Sequence, residues 1–376
     1  MKINVAIITF LLLAGCQTNK NETMQENNTY LFFVGTYTDT ESQGIYKYLL
    51  QKDGVLKRIG LVTMSDNPSF LAMSTDKRFL VAVNEINHES VGTVESFLIT
   101  SDSLAFISRS SSGGAHPCFV TVNETGFVLT ANYTGGNVGL LRMNKKGELT
   151  ALLDVQLHTG SGTTERQKTP HAHSVWFEAD DNNIISVDLG TNELWFSHLD
   201  TGLQKLVPSD PHKLRMNPGA GPRHLVFHPN RKWIYVVNEL DCTVILLRKS
   251  NNGKYEKGVS VSTLPVGYTE PNTCADIHIS SDGKFVYVSN RGHNTIAIFN
   301  VNTHDGSLNL IGHQPTCGNW PRNFSLSPDE KYLLVANQHT NNIVSFKRDK
   351  TTGLLKYVCQ IEAPTPVCIL FYFGVV

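Results

Sequence analysis

Hydrophobic residues in this chain fall in short runs divided by small polar clusters, and the runs come in pairs. In "HLVFHPNRKWIYVVNE" (residues 224–239) an apolar run, a polar turn and a second apolar run follow one another directly. Short apolar runs bounded by Asn, Asp, Gly and Pro predict β-strands joined by tight turns. The pair recurs in altered form as "PSFLAMSTDKRFLVAVNE", "HPCFVTVNETGFVLTANY", "HAHSVWFEADDNNIISVDLG", "CADIHISSDGKFVYVSNRG" and "WPRNFSLSPDEKYLLVANQ". Each second strand closes on Asn or Asp (Asn84, Asn132, Asp188, Asn238, Asn290, Asn337), at intervals of 47 to 56 residues. Further strand-like segments such as "GTVESFLIT" and "TIAIFNV" follow most pairs. Four strands in each stretch of about fifty residues predict the blades of a β-propeller.

The ends of the chain complete the count. "YLFFVGTYT", Tyr30 to Thr38, has the form of a second strand with no first strand ahead of it, and "TPVCILF", Thr365 to Phe371, has the form of a first strand with no partner behind it. Joined, they make a seventh blade and remove the open edge that a final blade would expose. The expected fold is therefore all-β: one seven-bladed propeller over residues 30–376, closed by its N- and C-terminal strands.

In a propeller the first strand of each blade lies nearest the axis, and the second runs back against it. The start of the first and the end of the second thus share one face. At first-strand starts that face receives His116, His171, His173, Arg223, His224, Asp276 and Arg322. At second-strand ends it receives Glu85, Asn132, Tyr133, Asp188, Asn238, Glu239, Asn290, Arg291, Asn337 and Gln338. The opposite turns ("STDKR", "NETG", "HPNRK", "SSDGK", "SPDEK") carry ordinary turn residues. Function is expected on the first face. Asn and Asp at strand ends also cap turns through their own side chains, and Asp276 can tie blades together. Arg223, Arg291 and Arg322 on one concave surface would repel one another without carboxylates or an anionic ligand. Glu85 and Glu239 are the available carboxylates, so a purely structural ion-pair network competes with a functional reading. The catalytic candidates are His171, His173, Arg223, Glu239 and Arg291. The substrate-binding candidates are Glu85, His116, Asn132, Asp188, His224, Arg322 and Gln338. The polar insertion "HTGSGTTERQKTPHAH", His158 to His173, lies on the same face and could bring Arg166 or Lys168 over a ligand.

Charge and motifs exclude several classes of function. Lys and Arg number 32 against 33 Asp and Glu, a net charge of −1, so there is no basic field for nucleic acid. No Walker A loop, dinucleotide fingerprint, HExxH or GxSxG elbow occurs. A metal is not expected, because the histidines and carboxylates are interleaved with arginines, and no cofactor is expected. "MKINVAIITFLLLAGC" reads as a secretory leader, with Leu13-Ala14-Gly15-Cys16 resembling the lipobox whose Cys is acylated. Residues 1–15 are then a signal peptide and 16–29 a polar tether to a membrane lipid at Cys16, giving an exported, anchored protein. The other six of the seven cysteines show no metal spacing or CxxC pair, and read as isolated small buried side chains.

Together "VGTYT", "NPSFLAMS", "AHPCFVTVN", "PHAHSV", "GAGPRHLVFHP" with "YVVNEL", "DIHISSDGKFVYVSNRG", "WPRNFSLSP" and "PVCILF" resemble the seven-bladed lactonase family, from about Tyr30 to Phe371. That family includes propeller-type 6-phosphogluconolactonases and a fungal carboxy-muconate lactonising enzyme. The resemblance implies a site of one His, two Arg and one Glu, matching His171 or His173, Arg223, Glu239 and Arg291. It implies hydrolysis of an anionic sugar lactone, 6-phosphogluconolactone first. Cyclisation of a muconate-like diacid and non-catalytic binding of sugar acids or a protein partner are the rivals. Many family members are cytoplasmic, whereas the leader of this chain points outward.

Overall fold

The computed structural model describes residues 29–179 and 182–373, so the predicted leader, the lipidation candidate Cys16 and almost all of the tether lie outside the described residues. The described chain folds into seven four-stranded antiparallel sheets. Six follow chain order: residues 71–111, 117–157, 172–215, 222–262, 273–315 and 321–362, here blades one to six. The seventh takes its innermost strand from Pro366–Phe371 and its other three from Tyr30–Thr36, Gly44–Leu50 and Leu56–Met64. Phe32 pairs with Phe371, Phe33 with Leu370 and Val34 with Ile369, which is the closure expected from the orphan strands at the two ends.

Packing closes the ring as well as hydrogen bonding. Seven apolar clusters each fill an interface between neighbouring blades. Phe32, Val34 and Phe371 of the seventh blade meet Leu334, Ala336 and Ile343 of the sixth, while Phe33 and Ile45 meet Leu80, Ala82 and Phe97 of the first. Second strands are apolar on both faces because each sheet is covered by a blade on either side, so they read as unbroken runs such as "WIYVVN". The tyrosines in those strands keep their hydroxyls paired across the interface: Tyr235 donates to the Gly306 carbonyl and Tyr287 to that of Gly353, each at 2.8 Å.

The turns between first and second strands form the face away from the site. Lys77, Gly126, Arg231, Gly283 and Glu330 occupy the same place in five of them, each with positive φ. Glycine meets that requirement freely at Gly126 and Gly283; the other three blades hold a larger residue there.

The inner strands carry the feature that builds the site. Pro222 pairs with Asn238, but the next paired residue is His224 with Val237, leaving Arg223 as an extra residue in a β-bulge. The same bulge leaves out Cys118 in blade two, His173 in blade three and Arg322 in blade six. A bulge bends the strand and re-aims one side chain. Repetition around the ring aims four of them at the axis.

Candidate active site

Nine side chains meet in a cavity of about 190 Å³ at the bulged end of the channel: Tyr37, Glu85, Cys118, Tyr133, Arg166, His173, Glu239, Arg291 and Arg322. Four of them obey one rule, each directly following the second-strand Asn of its blade: Glu85, Tyr133, Glu239 and Arg291 follow Asn84, Asn132, Asn238 and Asn290, the strand ending at Asn132 and Asn238 and running on through Glu85 and Arg291 in the other two. Tyr37 follows Thr36, the last residue of the equivalent strand in blade seven. Cys118, His173 and Arg322 are bulge residues. Arg166 comes from the insertion. All seven blades, or the segments joining them, therefore contribute to one cavity.

Glu239 is the hub. Its carboxylate lies 3.1 Å from Arg223 Nε, 2.9 Å from Arg291 Nη2, 2.6 Å from Arg166 Nη1 and 4.0 Å from His173 Nε2. Burial alone pushes its carboxyl up, but Arg291, Arg223 and Arg166 together hold it down at about 2, so it stays ionised. Burial, then Arg291 and Arg322, pulls Arg223 down to about 10, still protonated at neutral pH. Burial, with Arg223, His224 and Arg322, holds His173 well below the ordinary histidine value, so its imidazole is neutral. Arg223 Nη1 donates to the Ala275 carbonyl at 2.6 Å and Arg291 Nη2 to that of Cys274 at 2.8 Å. The Nε–H groups of Arg223 and Arg291 are buried without an aligned acceptor among the described residues.

On the other side of the cavity Tyr37 donates to Glu85 at 2.8 Å, and Arg322 stands over the Tyr37 ring, 3.8 Å from the Glu85 carboxylate. Three guanidiniums, those of Arg166, Arg291 and Arg322, thus line the cavity with two carboxylates, and Arg223 stands behind Glu239, so positive charge is in excess around it. No group of three or more His, Cys, Asp or Glu with the geometry of a metal site occurs among the described residues.

The structure brings His173, Arg223, Glu239, Arg291, Glu85 and Arg322 together and sets the other candidates apart. His171 stacks on the Tyr133 ring at 4.4 Å and bonds the Tyr133 carbonyl, so it supports the cavity wall from behind. His224 lies beneath, its ring 5.3 Å from that of His173. It opens into a second, largely apolar cavity of about 590 Å³ at the other end of the channel. Its Nδ1 meets Asp276 at 2.9 Å, and Asp276 also holds His278 and Asn323, tying blades four, five and six together. Asn132 and Asp188 do not reach the cavity. Asn132 donates to the Ser112 carbonyl, while Asp188 accepts from the backbone N–H groups of His171 and Thr191 through one oxygen and meets His158 Nδ1 at 2.7 Å through the other, so both side chains are engaged away from the cavity. His116 turns to Thr134, and Gln338 does not line the cavity.

Arg166 rather than Lys168 reaches the cavity, because the short 3-10 helix Glu165–Gln167 points Lys168 toward Glu165 at the surface. Tyr37 and Cys118 are not among the candidates that the strand pattern offers. Tyr37 is signalled by its position 48 residues before Glu85, and Cys118 by its alignment with Arg223 and His173. Of the six described cysteines, all are free, and four are buried as expected; Cys317 is exposed and Cys359 half-buried.

A sequence model of the family described as "Lactonase, 7-bladed beta-propeller" matches residues 31–371. The chain is 37% identical over 348 residues to a Bacillus subtilis protein named 6-phosphogluconolactonase, covering 91% of this chain and 98% of that one. It is 35% identical to a Formosa agariphila protein of the same name, covering 87% and 95%. Among solved structures, the periplasmic gluconolactonase of Pseudomonas aeruginosa superposes with a TM-score of 0.87 at 29% identity, covering 92% of this chain and 99% of that one.

Proposed function

The chain belongs to the seven-bladed β-propeller lactonase family, and from that membership we propose that it hydrolyses an anionic sugar lactone, with 6-phosphoglucono-1,5-lactone as the first choice. The observation that carries this reading is the cavity itself: three guanidiniums line it against two carboxylates, with a neutral imidazole beside them.

Ring opening needs a water made nucleophilic, a stabilised oxyanion and a proton for the departing ring oxygen. Glu239, held at about 2, is a poor proton acceptor at neutral pH, whereas neutral His173 can accept one. In this reading water attacks the lactone carbonyl carbon and gives its proton to His173. The Arg291 guanidinium, which lines the cavity, receives the oxyanion, while Arg223 holds Glu239 in place from behind. The carbonyl–ring oxygen bond then breaks, and the imidazolium returns the proton to the ring oxygen. Glu239, 4.0 Å from His173 Nε2, balances the imidazolium while it lasts. A negatively charged substrate offsets the arginines that suppress protonation of His173, so binding itself makes the base stronger.

Anchoring is part of the same proposal and rests on the Leu13-Ala14-Gly15-Cys16 sequence: the enzyme would meet its lactone outside the inner membrane. The decisive experiment is a panel of phosphorylated and plain sugar lactones with purified protein, spontaneous opening subtracted. Accelerated opening of 6-phosphoglucono-1,5-lactone is expected, and no acceleration of any lactone would end the hydrolase reading.

A further inference from the structure

Building on the lactone reading of this cavity, we propose that Arg166 is its specificity-determining residue: a side-chain latch that rests on Glu239 in the free protein and moves to the phosphate of a phosphorylated substrate. Of the four arginines that surround Glu239 and Glu85, Arg166 alone is well exposed. Its side chain is 47% accessible, against 3% for Arg223, 5% for Arg291 and 17% for Arg322. The buried arginines are also tied to backbone or stacked on a ring: Arg223 to the Ala275 carbonyl, Arg291 to that of Cys274, and Arg322 over Tyr37. Arg166 is held through Glu239 Oε1 at 2.6 Å and Tyr133 Oη at 3.0 Å, both inside the cavity.

The backbone beneath Arg166 is pinned. Gln167 is fully buried, donates to the Leu189 carbonyl at 2.9 Å, and its own carbonyl accepts from the Gly162 N–H at 2.8 Å. The insertion is therefore a fixed platform, and what can move is the Arg166 side chain. The present cavity, about 190 Å³, is below the roughly 300 Å³ at which small-molecule pockets usually begin. Withdrawing Arg166 enlarges it on the solvent side.

Movement of this kind exchanges one charge-assisted pair for another. A phosphate offers three oxygens to the planar guanidinium, so Arg166 leaves a carboxylate for an acceptor at least as good. Glu239 keeps Arg223 and Arg291 but loses its third guanidinium, which makes it a better partner for an imidazolium at His173. A plain lactone offers no such exchange, and Arg166 then stays across the entrance. Phosphate recognition and access are thereby carried by one residue.

The test compares wild type, Arg166→Ala and Arg166→Lys. Binding of 6-phosphogluconate and of gluconate is titrated calorimetrically, and hydrolysis of the two corresponding lactones is followed in parallel. The wild type should prefer the phosphorylated ligand. Arg166→Ala should reduce that preference at least tenfold, in binding and in the ratio of kcat/KM, and Arg166→Lys should restore part of it. An unchanged preference in Arg166→Ala, or none in the wild type, overturns the latch. Loss of the binding preference in a protein that opens neither lactone upholds the latch and removes the hydrolase reading. Lactone turnover with an unaltered preference does the reverse.

Discussion

Replacing Glu239 with Gln removes one negative charge and almost no volume. In the folded protein that charge faces Arg291, Arg223 and Arg166, which lower its carboxyl from 4.5 to about 2 against the opposing push of burial. At about 1.4 kcal/mol for each tenfold change in proton affinity, this difference corresponds to about 3 kcal/mol of folded-state stability. The folded value is depressed, so the contribution is fully present above the unfolded value near 4.5 and is lost as pH falls toward 2. Glu239→Gln should therefore unfold several degrees below wild type at every pH from 5 to 9, and the gap should close between about 4.5 and 2. Activity should fall further than stability. With its counter-charge gone, His173 cannot hold a proton among three guanidiniums, and a loss of at least about a hundredfold is expected, the scale of an acid–base contribution. Lactone opening and thermal unfolding should be measured on the same samples, with Lys284→Ala, exposed on the far face, as control. Near-wild-type turnover in folded Glu239→Gln would refute the catalytic reasoning. A stability gap that persists unchanged to pH 2 would refute the electrostatic one.

The remaining expectations concern other parts of the molecule. Deleting residues through Thr38 removes Phe32, Phe33 and Val34, each contributing about 1.5–3 kcal/mol by burial, and should abolish the cooperative fold; deleting only through Asn28 should leave the unfolding midpoint in place, and equal midpoints would disprove ring closure. Because burial and the neighbouring arginines keep His173 neutral, kcat/KM should show no histidine ionisation between pH 6 and 8, and an inflection near 6.5 that disappears in His173→Asn would contradict this. Cys16→Ser should shift the protein from the membrane fraction to the soluble one or block its maturation, whereas unchanged fractionation would dismiss the anchor.

The propeller was legible because its repeat is a backbone requirement. Every blade needs two apolar strands and a tight turn, and the mismatched strands at the ends left one way to close the ring. The rim residues were legible only to within one position. Side chains alternate along a strand, so a shift of one residue reverses their direction. That is why the strand pattern offers Asn132 and Asp188 while the cavity takes Tyr133. Bulges have no local signature in the sequence: "HPCFV" taken alone makes Cys118 a core residue, and only its alignment with Arg223 and His173 marks it as a position that the same bulge lifts. Tyr37 was overlooked because its blade lacks a neighbouring inner strand in the sequence, that strand lying more than three hundred residues away.

The shared blade also fixes when the cavity can exist. Tyr37, which donates to Glu85 and lies under Arg322, is among the first residues of the propeller to be synthesised, and the strand that seats its blade, Pro366–Phe371, is the last strand of the propeller. Until that strand leaves the ribosome, blades six and one have no common neighbour, and Glu85 and Arg322 are not held across from each other. A chain that stalls or is clipped late in translation would carry every charged group of the cavity and still lack the wall that sets their spacing. Synthesis of the last propeller strand and assembly of the site are thus coupled.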